Sequence, residues 1–230
     1  MRAATDLGSN ALAPEGETLF RRARKWLPKG GALPREDWES RHRAIRALLV
    51  AQAVGLIVFG VVRGFGLLHV STEASIPAIC ALVTGSMMKR GQRAVVATFG
   101  LVATSGILVH LSGGTIEAHF HFFIMLAVIS LYQDWRAFLL AIAFVAVHHG
   151  VAGVVDARSV FNHQAALAHP WTWAAIHALF VLGESVALVI AWRFSERAHE
   201  HAAESQHQFM EEQEQRIEER ERAAEALSRS

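Results

Sequence analysis

His110, His119, His121, His148, His149, His163 and His177 fall in or beside long apolar stretches, nearly all at the same ends of those stretches. A membrane helix loses stability for each polar side chain it carries, so such residues are usually functional. Imidazole is also the commonest metal and haem-iron ligand among side chains. Bis-histidine haem b needs two imidazoles on facing helices, small residues to admit the flat ring, and aromatic walls. Gly106, Gly150, Gly153 and Gly183, with Phe120, Phe122, Phe123 and Phe180, suit that environment. A copper or zinc ion needs three or four side chains converging within bonding distance. The phenylalanine-rich surroundings favour haem b, with a copper or zinc ion as the alternative. A hydrogen-bond network or a proton-sensing cluster is the structural counterpart of both readings.

Spacing limits which histidines can cooperate. His119 and His121 are two apart, so on a helix they point in well-separated directions. His148 and His149 are about 100° apart on a helix. One member of each pair is therefore expected to face a shared centre with His177, while the other faces elsewhere. Glu117, one turn before His121, is expected to orient it as a carboxylate behind a ligand. His163 lies between two apolar stretches and can fold over the site as a lid. Glu184 shares a helix face with His177 but lies deeper.

The elements that must position these residues read as membrane helices. Hydrophobic residues make up 52% of the 230 residues, and the charge is segregated to the two ends. Six stretches approach the roughly 20 residues a spanning helix needs: Ala44–Phe65, Ser71–Met88, Arg93–Leu111, Thr115–Trp135, Arg136–Val155 and Pro170–Phe194. The second is the weakest, since it starts polar and contains Pro77. The fold class is thus an all-α membrane protein, a six-transmembrane-helix bundle. Residues 1–43 form a basic N-terminal segment interspersed with Leu19, Phe20, Trp26, Leu27, Leu33 and Trp38; part of it suits a membrane-surface helix. Residues 44–195 form the bundle, and residues 196–230 a C-terminal signalling helix. In that helix Ala203, Met210, Ile217 and Ala224 recur every seven residues, a weak coiled-coil seam completed by Leu227. Lys and Arg crowd one side, from Arg21 and Arg22 to Arg46, then Lys89, Arg90, Arg93, Arg136, Arg193 and Arg197, against Arg63 and Arg158 on the other. The positive-inside rule then places both termini in the cytoplasm and the histidines within roughly 10 Å of the outer surface. The expected location is a bacterial inner membrane. No cleavable signal peptide is expected behind Met1. The single cysteine, Cys80, excludes an internal disulfide framework, and a net charge of +1 does not suggest a nucleic-acid partner.

Longer motifs sharpen this reading. Residues 113–123 (GGTIEAHFHFF), Tyr132-Gln133-Asp134-Trp135-Arg136, His148-His149, Val160-Phe161-Asn162-His163 and residues 170–177 (PWTWAAIH) resemble a bacterial membrane sensor region. That region stands at the N-terminus of diguanylate cyclases, c-di-GMP phosphodiesterases and some methyl-accepting chemotaxis proteins, and the resemblance covers roughly residues 45–197. It implies a non-enzymatic, homodimeric input module in the lipid bilayer, relaying redox or ligand state along the sixth helix to a cytoplasmic output domain beyond Ser230. A small membrane cytochrome is the alternative. It would need a second histidine layer at the inner face, and none is apparent within the helices. A transporter ranks lowest, because nothing resembles paired broken helices at the midplane.

Overall fold

A computed structural model describes residues 24–85 and 88–229. The expectations resting on Leu19, Phe20, Arg21, Arg22 and the rest of residues 1–23, and on the Leu227 side chain, lie outside the described residues. The described chain is helical throughout: α1 (Arg35–Val62), α2 (Leu67–Val83), α3 (Arg90–Ser112), α4 (Ile116–Ser130) and α5 (Trp135–Val147). A π-turn, His148–Ala152, continues α5. Short helical turns at Gly153–Val155, Ala157–Val160 and Gln164–Ala168 lead to α6 (Pro170–Ser228), a single helix of 59 residues.

All six apolar stretches form helices, but their lengths divide them. Four helical segments are long and apolar enough to cross a membrane: Arg35–Val62, Arg90–Ser112, Trp135–Val155 and Pro170–Arg222. The expectation of six full spans is not met by α2 and α4, which have 17 and 15 residues. At 1.5 Å per residue they reach about 25 and 22 Å, short of a hydrocarbon core about 30 Å thick. Local chemistry ends both. The Thr84 hydroxyl turns back to donate to the Cys80 carbonyl at 2.8 Å and closes α2. Beyond α4 the chain passes through Gln133 at a φ of 50°, which an α-helix cannot continue through.

α1 starts nine residues earlier than the apolar stretch it contains, with Pro34 before it and Glu36 and Asp37 in its first turn. These are ordinary start signals. One face, from Trp38 through His42, Ile45, Leu49, Ala53 and Leu56 to Gly60, is buried. The opposite face exposes Val50, Val54, Val58 and Val61. A helix apolar on both faces suits a lipid surround.

α3 is the hub, in contact with α1, α2, α4 and α5. Its buried Ala94, Ala97, Gly100 and Ala103 let neighbouring backbones approach closely. α6 packs on α4, α5 and the π-turn, at the margin of the bundle rather than its centre.

One end of the bundle is tied by a buried aromatic group. Trp38 stacks on His42 at 4.8 Å between ring centroids and lies under the guanidinium groups of Arg90 and Arg93, 5.1 and 4.9 Å away. His42 is fully buried. Its Nε2–H donates to the Thr84 carbonyl at 3.1 Å, which leaves Nδ1 to accept from the Tyr132 hydroxyl at 2.8 Å. Its sequence context, a charged stretch before the first apolar run, does not mark it out. With both nitrogens hydrogen-bonded, it acts as a structural tie between α1, the end of α2 and the α4–α5 corner.

At the opposite end, Gly113 and Gly114 both adopt positive φ, 75° and 76°, and end α3. A Cβ on Gly114 would stand 2.9 Å from the Phe161 nitrogen and the Val160 carbonyl carbon. Gly114→Ala is therefore expected to cost about 1–2 kcal/mol for the left-handed backbone alone, and more for the displaced Val160–Phe161 backbone. An unchanged thermal unfolding midpoint in detergent would contradict this close approach.

Candidate metal centre

Three histidines from three elements meet at that end of the bundle. α4 supplies His119 as its fourth residue, the π-turn supplies His149, and α6 supplies His177 two turns after Pro170. The rings of His149 and His177 stack at 4.0 Å and 13°. His119 lies 5.2 Å from His149 and 6.0 Å from His177. His119 and His149 are buried, with 7% and 3% exposure.

Their hydrogen bonds fix which nitrogen is available. His119 Nδ1 donates to the Thr115 carbonyl at 2.8 Å, and His149 Nδ1 donates to the Val145 carbonyl at 2.9 Å. In each case the ring reaches back one turn along its own chain. A neutral imidazole with its proton on Nδ1 presents a lone pair at Nε2, the arrangement found behind metal-bound histidines. The Nε2 atoms of His119, His149 and His177 are all buried with no hydrogen-bond partner of good geometry, although the Val160 carbonyl stands near the His119 ring. Leaving a buried polar atom unsatisfied costs about 1–3 kcal/mol. Three such atoms together favour a ligand over a structural network, which would have paired them.

A cavity of ≈ 260 Å³ opens beside the triad, lined by His119, His149 and His177 together with Phe123, Phe161 and Phe180 among others. A second, of ≈ 410 Å³, touches His149 and His177 from the α5–α6 side. Both walls are mainly apolar.

The paired histidines separate as their spacing requires. His121 turns away from the triad toward α1 and α3. Gln52 Nε2 donates to His121 Nε2 at 3.3 Å, and His121 Nδ1 donates to Ser105 Oγ at 2.8 Å. Ser105 passes its own proton to the Leu101 carbonyl at 3.3 Å. His121 is thus satisfied at both nitrogens. Glu117 is exposed at the start of α4, so the expected role of orienting His121 falls to Ser105 and Gln52 instead; the carboxylate points to the surface while His121 faces the core. His148 points toward α3, packed on Phe122 at 5.2 Å and on Phe144 at 6.3 Å, with its buried Nδ1 unpartnered.

The remaining predicted residues are more distant. His163 packs edge-on against Trp173 at 4.4 Å and accepts from the Ala166 N–H at 3.3 Å through Nδ1, so it caps the turn that covers the cavity. His110 belongs to another group. It contacts Phe65, His69 and Glu73, and no described ring contact joins it to the triad. The glycines expected to admit a flat ring are partly filled by protein. Gly106 abuts the His148 ring, Gly150 abuts Trp171 and Gly153 abuts Phe161, while Gly183 faces open space.

Sequence reasoning passed over His69, Glu73 and Glu196. The first two carry an i,i+4 spacing that could have been noticed. Glu196, 3% exposed, lies in a charged stretch where nothing in the sequence marks it out. Its carboxylate accepts from the backbone N–H groups of Lys29 and Gly30, both at 2.9 Å, and from Trp192 Nε1 at 3.0 Å.

Among known proteins, the chain is similar to the Transducer protein Htr8 of Halobacterium salinarum. The two are 35% identical over 189 residues, an alignment covering 76% of this chain and 29% of the relative. The chain therefore spans less than a third of that protein's length. No protein-family profile matches the chain, and no solved structure matches it. The similarity is to a transducer; it offers no support for a diguanylate cyclase or phosphodiesterase output in particular.

Proposed function

We propose that this chain is the membrane-embedded input module of a signal transducer, in which His119, His149 and His177 hold a metal centre whose state α6 carries to the cytoplasmic side. The observation behind it is the set of three buried, unpartnered Nε2 atoms on three different elements. Two of these have their tautomer fixed by a backbone carbonyl. The similarity to a transducer over most of the chain supports the signalling role. The Lys and Arg distribution supports a multi-pass inner-membrane placement, with both termini in the cytoplasm and the triad toward the outer face.

The donor set favours a single ion, copper or zinc, over haem. The His149 and His177 rings, stacked at 4.0 Å and 13°, would have to turn about their side-chain bonds for their Nε2 lone pairs to converge on the ion, and the triad's ligand atoms do not all lie within 4.8 Å of one another as they stand. An all-imidazole set suits copper or zinc. The apolar cavity beside the triad is the observation that favours the second reading, haem b bound through one of these histidines. In either case the metal, when bound, supplies a buried charge that varies with its redox or ligand state. The protein's part is to orient the imidazoles, shield them with Phe123 and Phe161, and tie the centre to α6 through His177. About 28 Å of continuous helix separates His177 from Glu196, so a shift at one is felt at the other. A homodimer formed along α6, and a cytoplasmic output domain beyond Ser230, complete the proposed arrangement.

The test is elemental analysis and absorption spectroscopy of the purified chain in both redox states. Copper or zinc that His177→Ala loses, without a Soret band, supports the ion, and a Soret band supports haem. Neither metal nor haem, after expression with both supplied, would sink the proposal.

A further inference from the structure

We propose that His69, Glu73 and His110 form a second metal site, separate from the triad, for a divalent transition-metal ion of the zinc class. His69 and Glu73 stand four residues apart on α2, so they share one face of that helix. His110 reaches them from the last turn of α3. Glu73 Oε1 is 3.5 Å from His69 Nε2 and 3.6 Å from His110 Nε2. The ligand atoms of all three residues lie within 4.8 Å of one another, and among the described residues this is the one group of three or more that meets that limit.

These distances are long for hydrogen bonds and suit a shared ion. Two ligand atoms each about 2.1 Å from a tetrahedral zinc stand about 3.4 Å apart. Two further observations point the same way. The second carboxylate oxygen of Glu73 is buried without a hydrogen-bond partner, so this carboxylate is oriented but not saturated. Phe65 stacks on His69 at 5.3 Å and 14° and contacts the His110 ring at 6.1 Å, which holds both imidazoles toward Glu73.

The donor set decides the ligand class. Calcium and magnesium take oxygen ligands, and soft ions prefer thiolates. Two imidazoles and one carboxylate match zinc and its neighbours, with a fourth position left for water. The side chains of His69 and His110 are 47% and 43% exposed, so an ion reaches the site from solution. Once bound, it clips the start of α2 to the end of α3, next to the Gly113-Gly114 turn that leads into α4 and the triad.

The experiment is zinc retention by the full chain in detergent. The protein is stripped with a chelator, reloaded with zinc, passed through gel filtration and analysed for metal. Parent protein is compared with His69→Gln, Glu73→Gln and His110→Gln. The two-residue pairs His201–Glu204 and His207–Glu211 contribute the same background throughout. Each variant is expected to retain one zinc fewer per chain than the parent, and zinc is expected to raise the unfolding midpoint of the parent more than that of His110→Gln. Combining His110→Gln with His177→Ala is expected to lose both sites, so failure of one centre is distinguishable from failure of the other. His110→Gln, an exposed change that leaves α3 intact, guards against loss of zinc through misfolding of Glu73→Gln. Equal zinc content in the parent and His110→Gln overturns the site.

Discussion

Alanine in place of His119, His149 or His177 is expected to remove the triad's ion and leave only what the His69–Glu73–His110 site holds, while His121→Ala leaves the metal content unchanged. The two kinds of histidine differ in what their nitrogens already do. His121 has Gln52 on one side and Ser105 on the other, so it has no nitrogen to offer. Its removal strands two polar side chains in the bundle and is expected to lower stability by about 1–3 kcal/mol. Each triad member has a buried Nε2 facing no protein donor, so in the metal-free protein its removal relieves an unpaired polar atom. The expected signature is therefore reciprocal. Triad variants lose metal and keep or gain stability in the stripped state, whereas His121→Ala loses stability and keeps metal. Metal analysis and thermal unfolding on the same samples read both. Metal content equal to the parent's in all three triad variants would show that the centre lies elsewhere. His148→Ala belongs with neither group: its buried unpartnered nitrogen is Nδ1, and it faces α3 across Gly106.

Much of this was legible in the sequence because helical spacing is rigid. Two residues cannot face one point when they are adjacent or two apart, so His119/His121 and His148/His149 had to split. The sequence could not say which member faces inward, because that depends on the azimuth of α4 and on the π-turn. The π-turn itself, His148–Ala152, carries no local signal beyond Gly150, and such bulges are common at functional sites. The six apolar stretches were visible from composition, but α2 and α4 end early for reasons of side-chain capping and a single positive φ at Gln133. Hydropathy does not register these. His42 and Glu196 were missed for a common reason: both sit in charged sequence outside the apolar stretches of their helices. Their burial arises from chain segments distant in sequence, Tyr132 and Thr84 for His42, and Lys29-Gly30 for Glu196.

Glu196→Gln is expected to release residues 27–33, the N-terminal strap that runs into α1, from α6 and to cost roughly 3–5 kcal/mol, the usual penalty for removing one partner of a buried charge pair. The Glu196 carboxylate holds two backbone N–H groups of the strap and the Trp192 indole, and stands 3.7 Å from the Arg193 guanidinium. Arg193 has two buried nitrogens with no hydrogen-bond partner, so the amide leaves a buried cation without its counter-ion. The strap is also held by Gly31 N–H to the Gln133 carbonyl at 2.7 Å, Trp135 Nε1 to the Pro28 carbonyl at 3.0 Å, Arg90 Nη1 to the Leu33 carbonyl at 2.8 Å, and an exposed Lys29–Glu200 pair. Gly30 has a φ of 79° and lies so close to Trp135 that a Cβ would fall 2.9 Å from that ring, so the strap cannot easily adopt another path. These contacts join α6, the α4–α5 corner and the strap where α6 leaves the bundle. A displacement of α6 at His177 must therefore strain or break the Glu196 contacts before it reaches the C-terminal part of the helix. Hydrogen exchange at the Lys29, Gly30 and Gly31 amides reads the latch directly. It is expected to accelerate strongly in Glu196→Gln and hardly at all in Glu200→Gln, whose carboxylate is exposed. Adding metal to the parent is expected to change exchange at these same amides, and the change is expected to vanish in His177→Ala. Exchange that ignores both Glu196 and the metal would mean that α6 does not carry the triad's state past this point.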